Sequence, residues 1–309
     1  MDIDKKINIA LDICNQGKYK KAKFFSIYPF TTENISAYVD MFDLKDKKLL
    51  TVGSSSDQVL NAILNGSQDI TLFDICPFAQ EYYYLKMAAI TLMDRQKYLE
   101  FFCYKNYPQL FIKNKRAFLE SNFYALLTYL DDIKPEVSYF WSELLKKHKG
   151  KTIRKNLFSI DEYETYVLKQ MNRYLEDDNS YNLLRNRISD VDISFIYDNI
   201  FNIDNTIKYD NIFLSNIAAY YKLTDFKYLF DECVKVLNED GKMLVSYLYD
   251  TDIDSEYTPG EDEIYNLPKV YNLLSEDIEL TTFIGNNGLR FHDRRSSDSV
   301  LTYKKSKKI

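Results

Sequence analysis

Residues 49–77 read Leu-Leu-Thr-Val-Gly-Ser-Ser-Ser-Asp-Gln-Val-Leu-Asn-Ala-Ile-Leu-Asn-Gly-Ser-Gln-Asp-Ile-Thr-Leu-Phe-Asp-Ile-Cys-Pro. The apolar run 49–52 suits a strand buried on both faces. A Gly/Ser loop follows, then an amphipathic helix over 56–65 closed by Gly66 at its C-terminus. A second apolar strand, 70–73, ends at Asp74. Strand, loop, helix and strand make the opening β-α-β unit of an open parallel sheet. Ligands of such sheets lie beyond the carboxyl ends of the strands.

Working outward, residues 4–24 read as a helix, with Ile7, Ala10 and Leu11 among lysines. Pro29 interrupts, and Thr31-Thr32-Glu33-Asn34 starts a further helix to about residue 42. Pro77 opens a long helix through Asp94, since proline suits a first helical turn. Over 91–189, large apolar residues recur at three- and four-residue spacing, with breaks near Pro108, Pro135 and Gly150. Strand signals return at 191–196, 209–214 and 242–247. A helix over 224–237 and an Asn238-Glu239-Asp240-Gly241 turn precede the last of these. Two late strands, 278–284 and 299–303, suit an antiparallel edge pair. The expected class is α/β: a mostly parallel sheet covered by helices on both faces. The expected organisation is an N-terminal helical segment (1–45), a Rossmann-like domain (46–90 and 190–309) and an α-helical insertion (91–189).

The 309 residues are 46% hydrophobic with a net charge of −6, which argues against a general polyanion binder. Cys14, Cys76, Cys103 and Cys233 are scattered, with no CxxC pair. With only His148 and His292 beside them, no metal site is expected. Single thiols suit a reducing, cytoplasmic setting. No apolar stretch reaches the ~18 residues of a membrane span. The N-terminus is charged and is not expected to be a secretory signal.

The loop after the first strand carries the chemistry. Gly53 lets the backbone turn and approach a ligand closely. Ser54, Ser55 and Ser56 offer hydroxyls and N–H groups at a helix start, and Asp57 sits at or near the N-cap. Asp74 is placed to accept hydrogen bonds from ribose hydroxyls, a role that serves both NAD and S-adenosylmethionine. The loop lacks the later glycines of G-x-G-x-x-G, which suits a pyrophosphate poorly and favours S-adenosylmethionine. The strand ending at Asp198 then meets the adenine amine, and the strand ending at Ser215-Asn216 borders the reacting centre. The ordinary alternative is a plain βα turn with a capping Asp57 and a solvated Asp74.

At these residues the chain resembles the betaine-lipid-forming S-adenosylmethionine:diacylglycerol 3-amino-3-carboxypropyltransferases. The likeness lies in Ile27-Tyr28, Thr31-Thr32-Glu33-Asn34 and Leu50-Thr51-Val52-Gly53-Ser54-Ser55-Ser56-Asp57-Gln58. It is most specific in Asp74-Ile75-Cys76-Pro77-Phe78-Ala79-Gln80 and Leu85-Lys86-Met87-Ala88-Ala89, against the family's D-x-N-P-x-Q and L-K-x-A-A. Cys76 replaces the usual Asn, and Ser56 stands where Gly is common. The resemblance implies a Rossmann-like class I methyltransferase fold. It implies cofactor contacts at Gly53, Ser54, Asp57 and Asp74, joined by Ser55 and Ile75. It places the adenine near Asp198 and the substrate side near Ser215 and Asn216.

The expected activity is transfer of a methyl or a 3-amino-3-carboxypropyl group, the latter to a lipid-like hydroxyl and the former to a small molecule. A hydroxyl acceptor wants a base, and Tyr220, Tyr221, Asp250 and His292 are the candidates near the strand ends. The basic run Lys146-Lys147-His148-Lys149-Gly150-Lys151, with Arg154 and Lys155, suits a solvated loop. It also leaves peripheral membrane contact open, whereas nucleic acid is disfavoured by the overall charge. A cofactor-binding protein without turnover is the competing class.

Overall fold

The computed structural model describes residues 1–16, 25–31, 33–53, 55–103, 115–158, 164–198, 200, 203–217, 222–248, 280–284 and 299–305. Helix α1 (Ile3–Gln16) precedes strand β1 (Lys48–Val52), α2 (Asp57–Leu64), β2 (Asp69–Asp74) and α3 (Ala79–Leu92). Among the described residues seven α-helices follow: α4 (Arg95–Phe102), α5 (Lys115–Ile133), α6 (Pro135–Lys147), α7 (Gly150–Leu157), α8 (Thr165–Met171), α9 (Arg173–Glu176) and α10 (Asp178–Arg187). The chain then returns to the sheet with β3 (Asp192–Tyr197), β4 (Tyr209–Phe213), α11 (Leu223–Val236), β5 (Leu237–Leu248), β6 (Leu280–Ile284) and β7 (Ser299–Lys305).

The sheet order is β3-β2-β1-β4-β5-β7-β6. The first five strands run parallel, and β7 pairs antiparallel with both β5 and β6. This is the Rossmann-like class I methyltransferase fold, with β7 as its reversed strand. The order reverses at β1, so the crevice lies beyond the ends of β1 and its neighbours.

Side-chain alternation divides the sheet between two apolar layers. Leu49, Leu72, Phe213, Leu244 and Val300 face one layer, which they share with α1, α2 and α3. Leu50, Phe73, Ile212, Val245 and Leu301 face the other, under α11. Buried residues of α4, α5, α6, α7 and α10 join the first layer, so the helices between α3 and β3 share one core with the sheet. Trp141 on α6 is fully buried there and donates its indole N–H to the Glu81 carbonyl at 3.1 Å. Glu81 in turn receives the buried Lys6 ammonium at 2.7 Å, which ties α1 to α3.

Several elements differ locally from the sequence expectation. The helix expected from Thr31 is two short 3-10 turns, Ile35–Ala37 and Val39–Met41. There the Thr31 hydroxyl accepts the Glu33 N–H, a local bond that competes with helix formation. The helix expected over 77–94 starts at Ala79, and a new one begins after Asp94, which caps it by accepting the Lys97 N–H at 2.8 Å. The turn expected at 238–241 is a bulge within β5, where pairing jumps from Tyr209↔Leu237 to Asn211↔Lys242. Pro135 opens α6 and Gly150 opens α7, while residues 17–24 and Pro108 lie outside the described residues. Among the described residues no helix is long and apolar enough to cross a membrane.

Gly66 ends α2 as expected. Its φ is +97°, its N–H donates to the Ile63 carbonyl, and the Ser67 N–H donates to the Ala62 carbonyl. These are the paired bonds of a Schellman motif. Replacing Gly66 by Ala forces a Cβ into that backbone region and is expected to cost about 1 kcal/mol in urea unfolding. An unchanged midpoint would show that the turn does not depend on glycine.

Candidate functional site

β1 and β2 end side by side, and the Gly53 N–H donates to the Phe73 carbonyl at 2.8 Å. A Cβ added to Gly53 would lie 2.6 Å from Leu72, 2.9 Å from an Asp74 carboxylate oxygen and 3.0 Å from the Ala79 Cβ. Glycine is therefore required by close approach. The other Asp74 oxygen accepts the Cys76 N–H at 2.7 Å, which fixes the carboxylate beside the bend. Asp74 itself is half-buried.

Beyond Asp74 the surface turns apolar. Ile75 is 41% exposed and Tyr197, in register with Asp74 on β3, is 39% exposed. Partial burial raises the Tyr197 phenol, with Cys76, Asp198 and Asp74 adding to the rise. Burial, then the neighbouring Asp74, pushes the Cys76 thiol well above its ordinary value, so it stays protonated and unreactive. Asp198 follows Tyr197 and is exposed. The structure thus gathers Gly53, Asp74, Ile75 and Asp198 at the joined ends of β1, β2 and β3.

A second polar group forms on the other side of β1, where β4 ends. Ser215 is buried with φ +54°, and Asn216 beside it is half-buried. The Ser215 hydroxyl donates to the Glu33 carboxylate. Gln58 Nε2 donates to Glu33 Oε1 at 3.4 Å and to Ser215 Oγ at 3.3 Å, while the Tyr38 hydroxyl donates to Glu33 Oε2 at 3.1 Å. Glu33 is itself buried.

Asp57 and Ser55, expected to meet a ligand, are instead enclosed in the protein. Asp57 Oδ1 accepts the Lys86 ammonium at 2.7 Å and the Tyr174 hydroxyl at 2.8 Å. Its Oδ2 accepts the Thr31 N–H at 2.5 Å and the Ser55 hydroxyl at 3.0 Å. Four donors occupy the carboxylate, which is why it turns inward rather than capping α2. The N-cap is Ser56, in the left-handed region at φ +67°, where a residue without a Cβ would be less strained.

Lys86 is completely buried, with Phe30, Tyr82 and Phe102 ring centroids 4.5, 5.2 and 6.0 Å from its ammonium. Burial lowers its pKa, and the Asp57 carboxylate opposes that shift. Burial, then the Asp57 charge, lifts the phenols of Tyr82, Tyr98 and Tyr174 well above the usual range. These phenols therefore remain donors. One helix turn further along α2, Asn61 donates to the Asn172 side chain at 3.0 Å and accepts the Arg173 N–H at 2.9 Å. The loop after β1 is thus held by α3, by the α8–α9 junction and by the segment around Thr31.

Ser54, Tyr220, Tyr221, Asp250 and His292 lie outside the described residues. The basic run is partly dispersed: Lys146 pairs with Glu143, and Arg154 is buried over the Phe101 ring at 4.4 Å. Lys147, Lys149, Lys151 and Lys155 remain exposed. Glu33, Gln58, Lys86 and Tyr174 were not read as site residues from the sequence. Glu33 carried one local signal, the Thr-x-Glu turn, and Tyr174 carried none.

No protein-family model and no curated protein matches the chain. Among solved structures, the chain is similar to the N-methyltransferase NodS from Bradyrhizobium japonicum WM9 in complex with S-adenosyl-L-homocysteine. That match covers 97% of this chain and 100% of NodS, at 10% identity and a TM-score of 0.40. It is also similar to magnesium protoporphyrin IX methyltransferase from Synechocystis PCC 6803 with bound SAH, over 99% of this chain and 88% of that one, at 9% identity and a TM-score of 0.39. A putative O-methyltransferase from Nostoc punctiforme PCC 73102 matches over 98% and 68%, at 11% identity and a TM-score of 0.40. The strand order, rather than these likenesses, defines the fold.

Lys86→Met leaves the buried Asp57 carboxylate without its cation. Breaking one side of a buried pair costs about 3–5 kcal/mol, so a loss of that size is expected in chemical denaturation. The double variant Lys86→Met/Asp57→Asn is expected to recover part of it. A single variant as stable as the parent would contradict the pairing.

Proposed function

We propose that the chain is an S-adenosylmethionine-dependent transferase that holds its cofactor at the joined ends of β1 and β2. The observation that carries this reading is the contact of Gly53 with Asp74. A bend stripped of side chain lies against a fixed, half-buried carboxylate, at the point where the strand order reverses. Asp74 then accepts hydrogen bonds from the ribose hydroxyls. Ile75 and Tyr197 offer apolar and aromatic surface to a flat base, and Asp198 takes the adenine side. These residues fit a nucleoside and supply no phosphate clamp.

The bound sulfonium supplies an activated carbon for in-line displacement. The remaining work of the chain is alignment, which in such reactions provides much of the acceleration. Asn216, half-buried after β4, borders the reacting end. The resemblance centred on Asp74 to Gln80 and on Leu85 to Ala89 favours movement of a 3-amino-3-carboxypropyl group to a lipid-like hydroxyl. Methyl transfer to a small molecule is an equal reading, because the class I sheet order serves it as well.

Calorimetry with S-adenosylmethionine is expected to show one site per chain. Asp74→Asn is expected to weaken it about tenfold to a hundredfold, the range for hydrogen bonds to a charged acceptor. Product analysis then separates the two transfers: methylthioadenosine reports the longer group and S-adenosylhomocysteine the methyl. Absence of binding by the parent chain would overturn the proposal, and binding without either product would favour a cofactor-binding protein.

A further inference from the structure

The basic run at 146–155 is helical rather than a loop. Lys146 and Lys147 end α6, His148 and Lys149 form the junction, and Lys151, Arg154 and Lys155 lie on α7. Two helices therefore hold its charges at one corner. Arg154 turns inward, donating to the Phe101 carbonyl, and Ile153, Asn156 and Leu157 are buried with it. Lys147, Lys149, Lys151 and Lys155 are left on the outside. Elsewhere Lys48, Lys97, Lys227, Lys235 and Lys304 each lie against a carboxylate. At the corner Lys146 pairs with Glu143, while none of the other four lysines has a carboxylate partner among the described residues.

This placement works against the helix. The first turn of α7 carries no acidic residue, and its N-cap is Lys149, with no side-chain hydrogen bond. Cations at a helix N-terminus oppose its macrodipole, and Lys151 and Lys155 repel each other across one turn. A chain with 46 acidic and 40 basic residues thus concentrates uncompensated positive charge at one place. Beside it stands an exposed aromatic ring. Tyr139, Glu143 and Lys147 follow at four-residue spacing and so share one face of α6, where Tyr139 is 45% exposed. A tyrosine so placed presents an apolar body and a polar tip, the character that suits a headgroup layer.

We propose that the corner of α6 and α7 docks on an anionic phospholipid surface, with its lysines over the headgroups and the Tyr139 ring at their level. Charge complementarity selects this partner. A lysine ammonium is a point charge, which a headgroup field attracts without demanding a fixed geometry. Nucleic acid fits less well. Its recognition draws on arginine forks and stacking platforms, and the arginine of this corner is buried. Neither Gly53 nor Asp74 takes part, so docking and cofactor binding can be lost separately.

Co-sedimentation of the full chain with vesicles tests this, using phosphatidylcholine alone and phosphatidylcholine with about a third phosphatidylserine. The parent is expected to bind the anionic vesicles about tenfold or more tightly, a comparison that needs no variant to fold. Most of that preference is expected to vanish as salt rises from ~0.05 M to ~0.5 M. Lys147→Glu, Lys149→Glu, Lys151→Glu and Lys155→Glu together are expected to abolish it. Lys45→Glu, Lys97→Glu, Lys222→Glu and Lys235→Glu together match that net charge and are expected to keep the preference within about threefold. All eight lysines are exposed, and far-UV circular dichroism reports whether each variant folds. A parent that binds both vesicles equally, or neither, overturns the assignment, as does an equal loss in the two fourfold variants. So does displacement from the anionic vesicles by single-stranded RNA at equal phosphate concentration.

Discussion

Asp57 is the residue on which the arrangement of the ligand loop depends. It lies where β1 has given way to α2, and it gathers donors from four places: Lys86 on α3, Tyr174 on α9, the Thr31 backbone and Ser55. A charge pair withdrawn from water needs good geometry and extra hydrogen bonds to offset its desolvation. Here both are present, and aromatic rings surround the ammonium. Its removal would take away one tie shared by the N-terminal segment, the loop and two helices.

That anchoring explains how a short loop stays in place without glycine-rich backbone. In a nucleotide-binding turn, several glycines let the chain wrap the ligand and donate its own N–H groups. This chain retains Gly53, where Leu72 and Asp74 leave no room for a Cβ, and uses side-chain bonds beyond it. Ser55 and Asp57 are therefore tied into the protein at this turn. On one side of it lies the Asp74 carboxylate with Ile75, Tyr197 and Asp198. On the other lies the Glu33, Gln58 and Ser215 group. β1 separates the two, as expected of the strand at which sheet order reverses.

The strands were legible because buried parallel strands leave apolar runs bounded by turn residues, as in 49–52 before Gly53 and 70–73 before Asp74. The Gly66 stop and the break at Pro135 were legible because their chemistry is local. Asp57 was misread for the converse reason. An aspartate at a helix start resembles a cap, and only partners 29 and 117 residues away turn it inward. The segment from Thr31 reads as a helix until Glu33 is drawn to Ser215, 182 residues on. The polar residues of α2 likewise suggest an exposed face, yet all eight of its residues are buried, because Asn61 and Gln58 find partners in distant segments.

The most direct test of a nucleoside held at the β1–β2 bend is a crystal structure of the chain grown with S-adenosylhomocysteine. The account predicts both ribose hydroxyls within hydrogen-bonding distance of the Asp74 carboxylate, with the base against Ile75 and Tyr197. A ligand bound elsewhere, or an Asp74 carboxylate turned to bulk solvent with Gly53 facing an empty crevice, would contradict it.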